Sequence, residues 1–206
     1  MNPAEILAQR LRGVIGDERA LAAIAQLPRE RFVPDELHDR AYENVALPIA
    51  CGQTISQPLV VARMLEMLAP RASDRVLDVG TGSGYHAALL ASLCAHVWTI
   101  ERHSKLSKLA EIAISSLGIE NVTFVVADGW EGLPDEAPFD AINVAAAVGD
   151  SVPSALEQQL ALGGRLLAPV GDIEQHLVLT RRTRGGLERR QLEAVRFVPL
   201  VRGKPG

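Results

Sequence analysis

From Arg75 onward, strand-like and helix-like segments alternate, and this alternation restricts the possible folds more than any other feature of the chain. The strand-like runs are RVLDVG, HVWTIE, VTFVVAD, FDAINVAAA and RLLAPVG, and the helix-like runs between them are YHAALLASLC, SKLSKLAEIAISSLG and PSALEQQLALGG. Such alternation predicts a doubly wound α/β fold with a mainly parallel, seven-stranded sheet and helices on both faces. The final segment, HLVLTRRTRGGLERRQLEAVRFVPLV, predicts an antiparallel hairpin that turns at Gly185-Gly186.

The region before this alternation has a different pattern. AEILAQRLRGVI and DERALAAIAQL carry apolar residues at helical spacing and predict two helices, and Pro58 opens a third in PLVVARMLEMLA. The chain has 206 residues and no segment that resembles a linker. We therefore expect one domain over residues 1–206, in which residues 1–58 form a helical extension with a loop and residues 59–206 form the α/β core.

Charge and composition argue against several classes of protein. The formal net charge is −4, which disfavours a nucleic-acid partner, and the basic cluster from Thr180 to Arg190 is interpreted as the faces and turn of the hairpin. No apolar run is long enough to span a membrane or to form a signal peptide, so we expect a cytoplasmic protein without a membrane partner. Cys51, Cys94 and the five histidines show no metal-ligand spacing, and no metal is expected.

The segment VLDVGTGSGY places Gly80, Gly82 and Gly84 at the first strand-to-helix turn, where glycines let a ligand approach the backbone. A phosphate-binding loop requires a Lys-Ser/Thr pair after its last glycine, and a dinucleotide loop requires a glycine where this chain has Tyr85. Asp78 would repel a diphosphate but attract an ammonium group. S-adenosylmethionine carries both an ammonium group and an adenosine, and is therefore the cofactor that the loop favours.

Two further acids end the next two strands. Glu101 closes HVWTIE, where a carboxylate can accept two hydrogen bonds from a ribose diol. Asp128-Gly129 closes VTFVVADG, where a carboxylate and an adjacent N–H group can bind the edge of adenine. Each acid alone is an ordinary strand-end residue. Together with Asp78, they form a set of three acids at three successive strand ends, which supports a cationic adenosyl cofactor.

Several segments resemble the protein-L-isoaspartate O-methyltransferase family, in order and with matching spacing from about Leu27 to Val201. They are PRERFV, GQTISQP, VLDVGTGSGY, the ER after the second strand, DGW, APFDAI, GGRLLAPVG and RFVPLV. The glycine segment is shared by most methyltransferases, whereas ALPIACGQTISQP and AVRFVPLV are specific to this family. The resemblance implies a class I methyltransferase fold and transfer of a methyl group from S-adenosylmethionine to the α-carboxylate of L-isoaspartyl residues in damaged proteins.

The resemblance also implies roles for particular positions and a monomeric enzyme. Ser56 takes the place of the active-site serine, and Ala146 and Val198 take places that contact the substrate. The implied cofactor contacts are Thr54, Ile55, Ser56, Asp78, Gly80, Thr81, Gly82, Gly84, Glu101, Asp128 and Gly129. Because a carboxylate acceptor is already ionised at neutral pH, no general base is expected, and catalysis depends on placing its oxygen in line with the methyl group. Ser56 is also a plausible N-cap for the helix that follows it.

The chain departs from the family at two places, which leaves alternatives open. The 143–153 loop, NVAAAVGDSVP, has Val148-Gly149 where relatives carry a proline-containing piece, so acceptor recognition is expected to differ. Ala50 and Cys51 replace a glycine and a polar residue, and Cys51 is interpreted as a packed or incidental thiol. The alternatives are a methyltransferase of the same family with a small-molecule or RNA acceptor, a relative that binds the cofactor without turnover, and a nicotinamide-dependent dehydrogenase.

Overall fold

The computed structural model describes residues 1–203 and 206, so the predicted domain of residues 1–206 extends over two positions, 204 and 205, that lie outside the described residues. The helices are α1 (Pro3–Leu11), α2 (Glu18–Gln26), α3 (Pro58–Leu68), α4 (Tyr85–Ala91), α5 (Ser104–Ser115) and α6 (Ser154–Gln158). The strands are β1 (Leu47–Pro48), β2 (Thr54–Ile55), β3 (Arg75–Val79), β4 (His96–Glu101), β5 (Val122–Val126), β6 (Phe139–Val144), β7 (Leu160–Val170), β8 (Gln175–Thr183) and β9 (Gly186–Val195).

The main sheet has seven strands in the order β5-β4-β3-β6-β7-β8-β9. Neighbours from β5 to β7 run parallel, and β8 and β9 are antiparallel to their neighbours. This confirms the predicted doubly wound sheet and its C-terminal hairpin. The strand order reverses beside β3, which lies between β4 and β6, and a ligand site is expected at the carboxyl ends of strands at such a point.

Two predicted boundaries were wrong. The helix predicted over PSALEQQLALGG ends at Gln158, because the main-chain oxygen of Gln159 accepts from Phe139 N and Leu160 then pairs with Phe139 at the start of β7. The hairpin turns at Arg184-Gly185, one residue earlier than predicted, because Thr183 and Gly186 form the last pair of the ladder.

Apolar clusters lie on both faces of the sheet. One cluster joins the N-terminal helices to α3 and α4, and includes the fully buried Leu21, Leu65 and Leu89. The other covers the opposite face around Phe139 and Leu156. The N-terminal helices are therefore held by the same apolar packing as the sheet.

Local capping explains where the first helices begin. The side chain of Asn2 accepts from Glu5 N, and that of Glu5 accepts from Asn2 N, which forms a capping box at the start of α1. The side chain of Asp17 accepts from Arg19 N and Ala20 N and starts α2. Across residues 1–203 and 206, no helix combines the length and the apolar character that crossing a membrane would require.

Candidate active site

An open cavity of about 910 Å³ lies at the carboxyl ends of β3, β4 and β6. Its walls are the glycine loop after β3, the end of β4, the 53–56 segment that includes β2, and the chain after β9. The predicted site residues among its lining are Thr54, Ile55, Ser56, Gly80, Thr81, Gly82, Glu101, Gly129, Ala146 and Val198. The structure therefore brings most of the residues predicted from the sequence together in one cavity.

The main-chain N–H groups of residues 80–82 in the glycine loop are already bonded inside the protein. Gly80 N and Thr81 N donate to the main-chain oxygen of Ile100 at 2.8 and 3.1 Å, and Gly82 N donates to Glu101 Oε2 at 2.9 Å. A phosphate-binding loop instead points free N–H groups at its ligand. The loop is therefore unsuited to a diphosphate, in agreement with the interpretation of its sequence.

Gly84 has a packing role and does not line the cavity. A Cβ atom at this position would lie 2.9 Å from Ala110 Cβ and 3.2 Å from Ile114 Cδ1, both on α5. Its φ of +88° is also a conformation that side chains other than glycine disfavour. Gly84 thus allows α4 to begin in close contact with α5, and it does not line the cavity.

Glu101 is the acid that reaches the cavity. It is 7% exposed and ends β4, and its Oε1 atom accepts from His103 N at 3.0 Å while Oε2 accepts from Gly82 N. These two main-chain bonds fix the carboxylate in one orientation. Because a carboxylate has about four lone-pair sites, each oxygen retains capacity for a further donor from a ligand.

Asp78 is fully buried beneath the loop and does not line the cavity. Its Oδ1 accepts from Asn143 Nδ2 at 2.7 Å and its Oδ2 accepts from Thr99 Oγ1 at 2.9 Å. Since the hydroxyl proton of Thr99 points to Asp78, Thr81 Oγ1 is the donor in its 2.7 Å contact with Thr99 Oγ1. Burial raises the pKa of Asp78 to about 6, although the bonds from Asn143 and Thr99 oppose the shift.

Asp128 also lies behind the cavity wall. Its Oδ1 accepts from Trp130 N at 3.0 Å and its Oδ2 accepts from Gly203 N at 2.8 Å, so it joins the end of β5 to the C-terminal segment. Gly129 does line the cavity, and a Cβ atom there would approach Val79 Cγ1 to 2.7 Å. Of the three strand-end acids, only Glu101 faces the cavity directly, which sequence position alone did not reveal.

The 53–56 segment forms one wall, and a buried arginine holds it in place. Arg29 is 0% exposed, and its Nη2 donates to the main-chain oxygen of Ser56 at 2.7 Å while its Nε donates to that of Ala41 at 2.8 Å. Its guanidinium carbon lies 4.7 Å from the ring centroid of Tyr85, at the start of α4. Arg29 therefore joins the N-terminal extension, the 53–56 segment and the helix that follows the glycine loop.

The structure contradicts the interpretation of Ser56 as a helix cap. The N-cap position of α3 is Gln57, and no side chain of its own caps the helix. The cap comes instead from Asn44, whose Oδ1 accepts from Leu59 N at 3.0 Å. The half-buried Ser56 is thus not required to begin α3.

A second cavity, of about 900 Å³, also borders the 53–56 segment. It is bounded by Val60 on α3 and by the end of β9 together with the chain that follows. The residues that line both cavities are Thr54, Ser56, Ala145 and Val198. The two cavities therefore meet at Ser56, an arrangement that suits two ligands that react with each other.

The 143–153 loop contributes its first residues to these walls. Ala146 lines the first cavity. The next residue, Ala147, donates from its N–H group to the main-chain oxygen of Val198 at 2.8 Å, so the two predicted substrate positions, Ala146 and Val198, lie on connected segments. Val148 is fully buried, and its N–H donates to the main-chain oxygen of Pro169 at 2.9 Å. Neither Val148 nor Gly149 lines either cavity, so the expectation that they reshape the substrate site is not supported by their position.

The residues at the site that were not predicted from the sequence include Arg29, His86 and Asn143. Sequence signals were present for two of them, because Arg29 lies in the PRERFV segment and His86 follows the glycine loop. Cys51 is exposed and has a φ of +58°, so of the two interpretations of its thiol, packed or incidental, the packed one was wrong. Within the described residues, no group of three His, Cys, Asp or Glu side chains is arranged to hold a metal ion.

Comparisons with known proteins agree with this geometry. The family model described as Protein-L-isoaspartate(D-aspartate) O-methyltransferase matches residues 2–205. Protein-L-isoaspartate O-methyltransferase of Koribacter versatilis is 54% identical over 193 residues, which cover 93% of this chain and 86% of the relative. The Aeromonas hydrophila protein of the same name is 49% identical over 199 residues, which cover 97% of this chain and 95% of the relative.

Solved structures give the same result. A protein-L-isoaspartate O-methyltransferase structure superposes with a TM-score of 0.87 and 29% identity, covering 98% of this chain and 67% of the other. A Plasmodium falciparum structure described as a putative member, in complex with S-adenosyl-L-homocysteine, has a TM-score of 0.82 and 27% identity and covers 98% of this chain and 99% of the other. The chain belongs to the protein-L-isoaspartate(D-aspartate) O-methyltransferase family.

Proposed function

We propose that this enzyme transfers a methyl group from S-adenosylmethionine to the α-carboxylate of L-isoaspartyl residues in damaged proteins. The observation that carries the proposal is the meeting of two cavities at Ser56, one beside the glycine loop and one beside the chain after β9. The methyl ester product is expected to cyclise to a succinimide and reopen in part as normal aspartate, which gives the enzyme a repair role.

The first cavity fits an adenosyl cofactor with a cationic centre. Glu101 places a carboxylate in its wall, which can accept hydrogen bonds from ligand hydroxyl groups and favours a cationic ligand. In the proposed arrangement, Glu101 binds the ribose diol, and the main chain of residues 80–82 borders the amino-acid end. Gly129 borders the adenine, with Asp128 fixing the turn behind it. Asp78 acts from behind the loop through Asn143.

When bound, S-adenosylmethionine supplies an activated methyl group on a sulfonium centre. The task of the protein is to place an acceptor carboxylate oxygen in line with that methyl group, about 3 Å away, and such placement contributes strongly to the rate. In this proposal, Ser56 donates a hydrogen bond from its hydroxyl group to the acceptor carboxylate. Arg29 fixes the main chain of Ser56 from behind, so that the hydroxyl group starts from a defined position.

The second cavity is proposed to hold the peptide that carries the isoaspartyl residue. Ala145 and Val198 border both cavities, and the chain from Ala194 to Val198 forms a continuous wall of the second one. Ala146 and Val198 are joined through Ala147, so the two proposed substrate positions form one surface. Contacts within the protein hold this wall in place, since Phe197 N donates to Gln175 Oε1 and the main-chain oxygen of Val198 accepts from Ala147 N.

We also propose a single-domain, monomeric enzyme of the cytoplasm without nucleic-acid or membrane partners. Continuous apolar packing between the N-terminal helices and the sheet supports one domain. Basic residues of the hairpin make contacts within the protein, since Arg182 donates to the main-chain oxygen of Leu160 and Arg189 pairs with Glu157. These contacts support a structural role for the basic cluster and not a nucleic-acid site. The unpaired state of Cys51 and Cys94 suits a reducing compartment.

An acceptor panel tests the proposed function. Purified enzyme and S-adenosylmethionine carrying a labelled methyl group are incubated separately with an isoaspartyl peptide, a structured RNA and a mixture of small carboxylic acids. The proposal expects base-labile label in the peptide alone. Label in the RNA or in the small acids, with none in the peptide, would assign a different acceptor to the same fold.

A further inference from the structure

Three buried polar side chains form a chain that runs from beneath the glycine loop to the wall of the first cavity. Asn143 Nδ2 donates to Asp78 Oδ1 at 2.7 Å and lies 3.3 Å from His86 Nδ1. Asp78 and Asn143 are 0% exposed and His86 is 8% exposed. His86, the member at the other end from Asp78, lines the cavity.

These contacts define the proton positions on His86. Asp78 Oδ1 is an acceptor, so the amide nitrogen of Asn143 must face it, and the second N–H of that nitrogen is directed to His86 Nδ1. His86 Nδ1 is therefore an acceptor, and the proton of the neutral ring lies on Nε2. Burial lowers the pKa of His86 to about 4, which keeps the ring neutral at physiological pH.

The resulting Nε2–H group has no acceptor among the residues that the structure describes. The atom is buried, and it is one of a small number of buried polar side-chain atoms without a hydrogen-bond partner. A buried donor left unpaired destabilises a protein, so such groups call for a partner that is not part of the polypeptide. Because His86 lines the first cavity, a ligand in that cavity is the available source of an acceptor.

The position of His86 indicates which part of a ligand it meets. In the sheet, β3 separates β4, which carries Glu101, from β6, which carries the His86 partner Asn143. The residues after Asn143, Ala145 and Ala146, border the cavity on the β6 side, and Ala145 also borders the second cavity. If Glu101 binds the ribose, His86 faces the opposite end of the cofactor, where its amino-acid carboxylate and the acceptor carboxylate are both close.

We infer that the Nε2–H group of His86 is a binding donor that hydrogen-bonds a carboxylate oxygen in the first cavity, from the methionyl end of the cofactor or from the isoaspartyl acceptor. This inference rests on the proposed function. It gives the buried acid Asp78 an indirect role, since Asp78 orients Asn143, Asn143 orients His86, and His86 contacts the ligand.

Nuclear magnetic resonance of the wild-type protein labelled with ¹⁵N-histidine tests the inference. The His86 signals are assigned by their absence in His86→Gln, and spectra are compared for the free enzyme, with adenosine, with S-adenosylhomocysteine, and with S-adenosylhomocysteine plus an isoaspartyl peptide. The inference expects an Nε2–H tautomer in the free enzyme. A shift of that proton with S-adenosylhomocysteine but not with adenosine identifies the methionyl carboxylate, and a shift only when peptide is added identifies the acceptor.

Calorimetry on the same samples separates failure of the inference from failure of the proposed function. If S-adenosylhomocysteine does not bind at all, both are overturned. If it binds and the His86 Nε2–H signal stays unchanged with every ligand, or if the proton lies on Nδ1, the inference alone is overturned.

Two matched variants give a second measurement. The amide nitrogen of His86→Gln extends about as far as Nε2 and can donate, whereas His86→Leu has a similar size and no donor. We expect His86→Leu to weaken binding of the carboxylate-bearing ligand by about tenfold to a hundredfold, with adenosine affinity unchanged and His86→Gln close to wild type. Equal affinities of the two variants for every ligand would contradict the inference.

Discussion

Arg29 Nη2 donates a hydrogen bond of 2.7 Å to the main-chain oxygen of Ser56, although 27 positions separate the two residues in the chain. The same guanidinium binds the main-chain oxygen of Ala41 and stacks on Tyr85, so one side chain connects the N-terminal extension to two parts of the cavity wall. A lysine at this position would keep the charge but cannot reproduce the planar fork. This relationship leads to the first prediction.

Arg29→Lys is expected to lower kcat for an isoaspartyl peptide, because Ser56 loses its fixed position relative to the acceptor. The loss of one such bond corresponds to about 1.5–3 kcal/mol, or roughly tenfold to a hundredfold in rate. Steady-state kinetics and melting temperature are measured on the same sample.

Arg165→Lys is the matched control for this prediction. Arg165 is also buried and donates to the main-chain oxygens of Leu68 and Ala69, but it pairs with Asp74 away from both cavities. The Arg165→Lys variant should lower the melting temperature without lowering kcat. If both variants lower the melting temperature and both keep the wild-type kcat, Arg29 has a structural role only.

Ser56→Ala and Ser56→Gly are both expected to fold with wild-type stability and to lose turnover. The reason is that Ser56 does not cap α3, so its hydroxyl group is available to orient the acceptor carboxylate. Asn44→Ala is the complementary variant, since it removes the observed cap and should cost about 1 kcal/mol of stability with little change in kcat. Full activity of Ser56→Gly would show that the hydroxyl group is not catalytic.

Glu101→Ala is expected to weaken binding of S-adenosylhomocysteine by roughly 1.5–3 kcal/mol, since a charged acceptor for the ribose diol is lost. The bond to Gly82 N is lost as well, which loosens the glycine loop. Isothermal titration calorimetry measures the change, and Glu111→Ala, on the exposed face of α5, serves as the control. Wild-type affinity in Glu101→Ala would remove Glu101 from the cofactor site.

Asp78 predicts a pH dependence of stability with a definite sign. Its pKa is raised from 3.8 in the unfolded chain to about 6 in the fold, so between these pH values the folded state binds more protons than the unfolded state. Raising the pH from about 4 to about 6 should therefore destabilise the wild type relative to Asp78→Asn, by up to about 3 kcal/mol.

Denaturant unfolding of both proteins across this range measures the difference. The lowered pKa of His86 has the opposite effect on stability, because the unfolded chain binds the additional proton. Because Asp78 and His86 share the partner Asn143, both proteins carry His86→Gln in this comparison, which removes the contribution of His86. The buried position of Asp78 would be contradicted if the difference in unfolding free energy between the two proteins stayed constant with pH. It would also be contradicted if the protein with Asp78 became less stable relative to Asp78→Asn as the pH falls.

The sequence was sufficient to predict the sheet, the hairpin and the place of the site. Strand and helix periods are local properties, and the acid at the end of β4 and the glycine loop after β3 meet when these two strands are parallel neighbours. Glu101 therefore occupies its predicted position in the cavity wall.

The roles of particular side chains were less predictable, because they depend on contacts between distant residues. Asp78 is turned away from the cavity by Asn143, which lies 65 positions later, and the α3 cap comes from Asn44, 15 positions before its partner Leu59. The burial of Arg29 likewise follows from packing against Tyr85. Local patterns carry no information about such pairs.

The most direct test of the proposed function compares an isoaspartyl peptide with its aspartyl twin, which has the same sequence and charge. Both are incubated with enzyme and S-adenosylmethionine, and methyl ester formation and the later recovery of normal aspartate are followed by chromatography and mass spectrometry. The proposal predicts ester formation on the isoaspartyl peptide alone, followed by partial conversion to the aspartyl form. Equal methylation of the two peptides, or methylation of neither by an enzyme that binds S-adenosylhomocysteine, would contradict it.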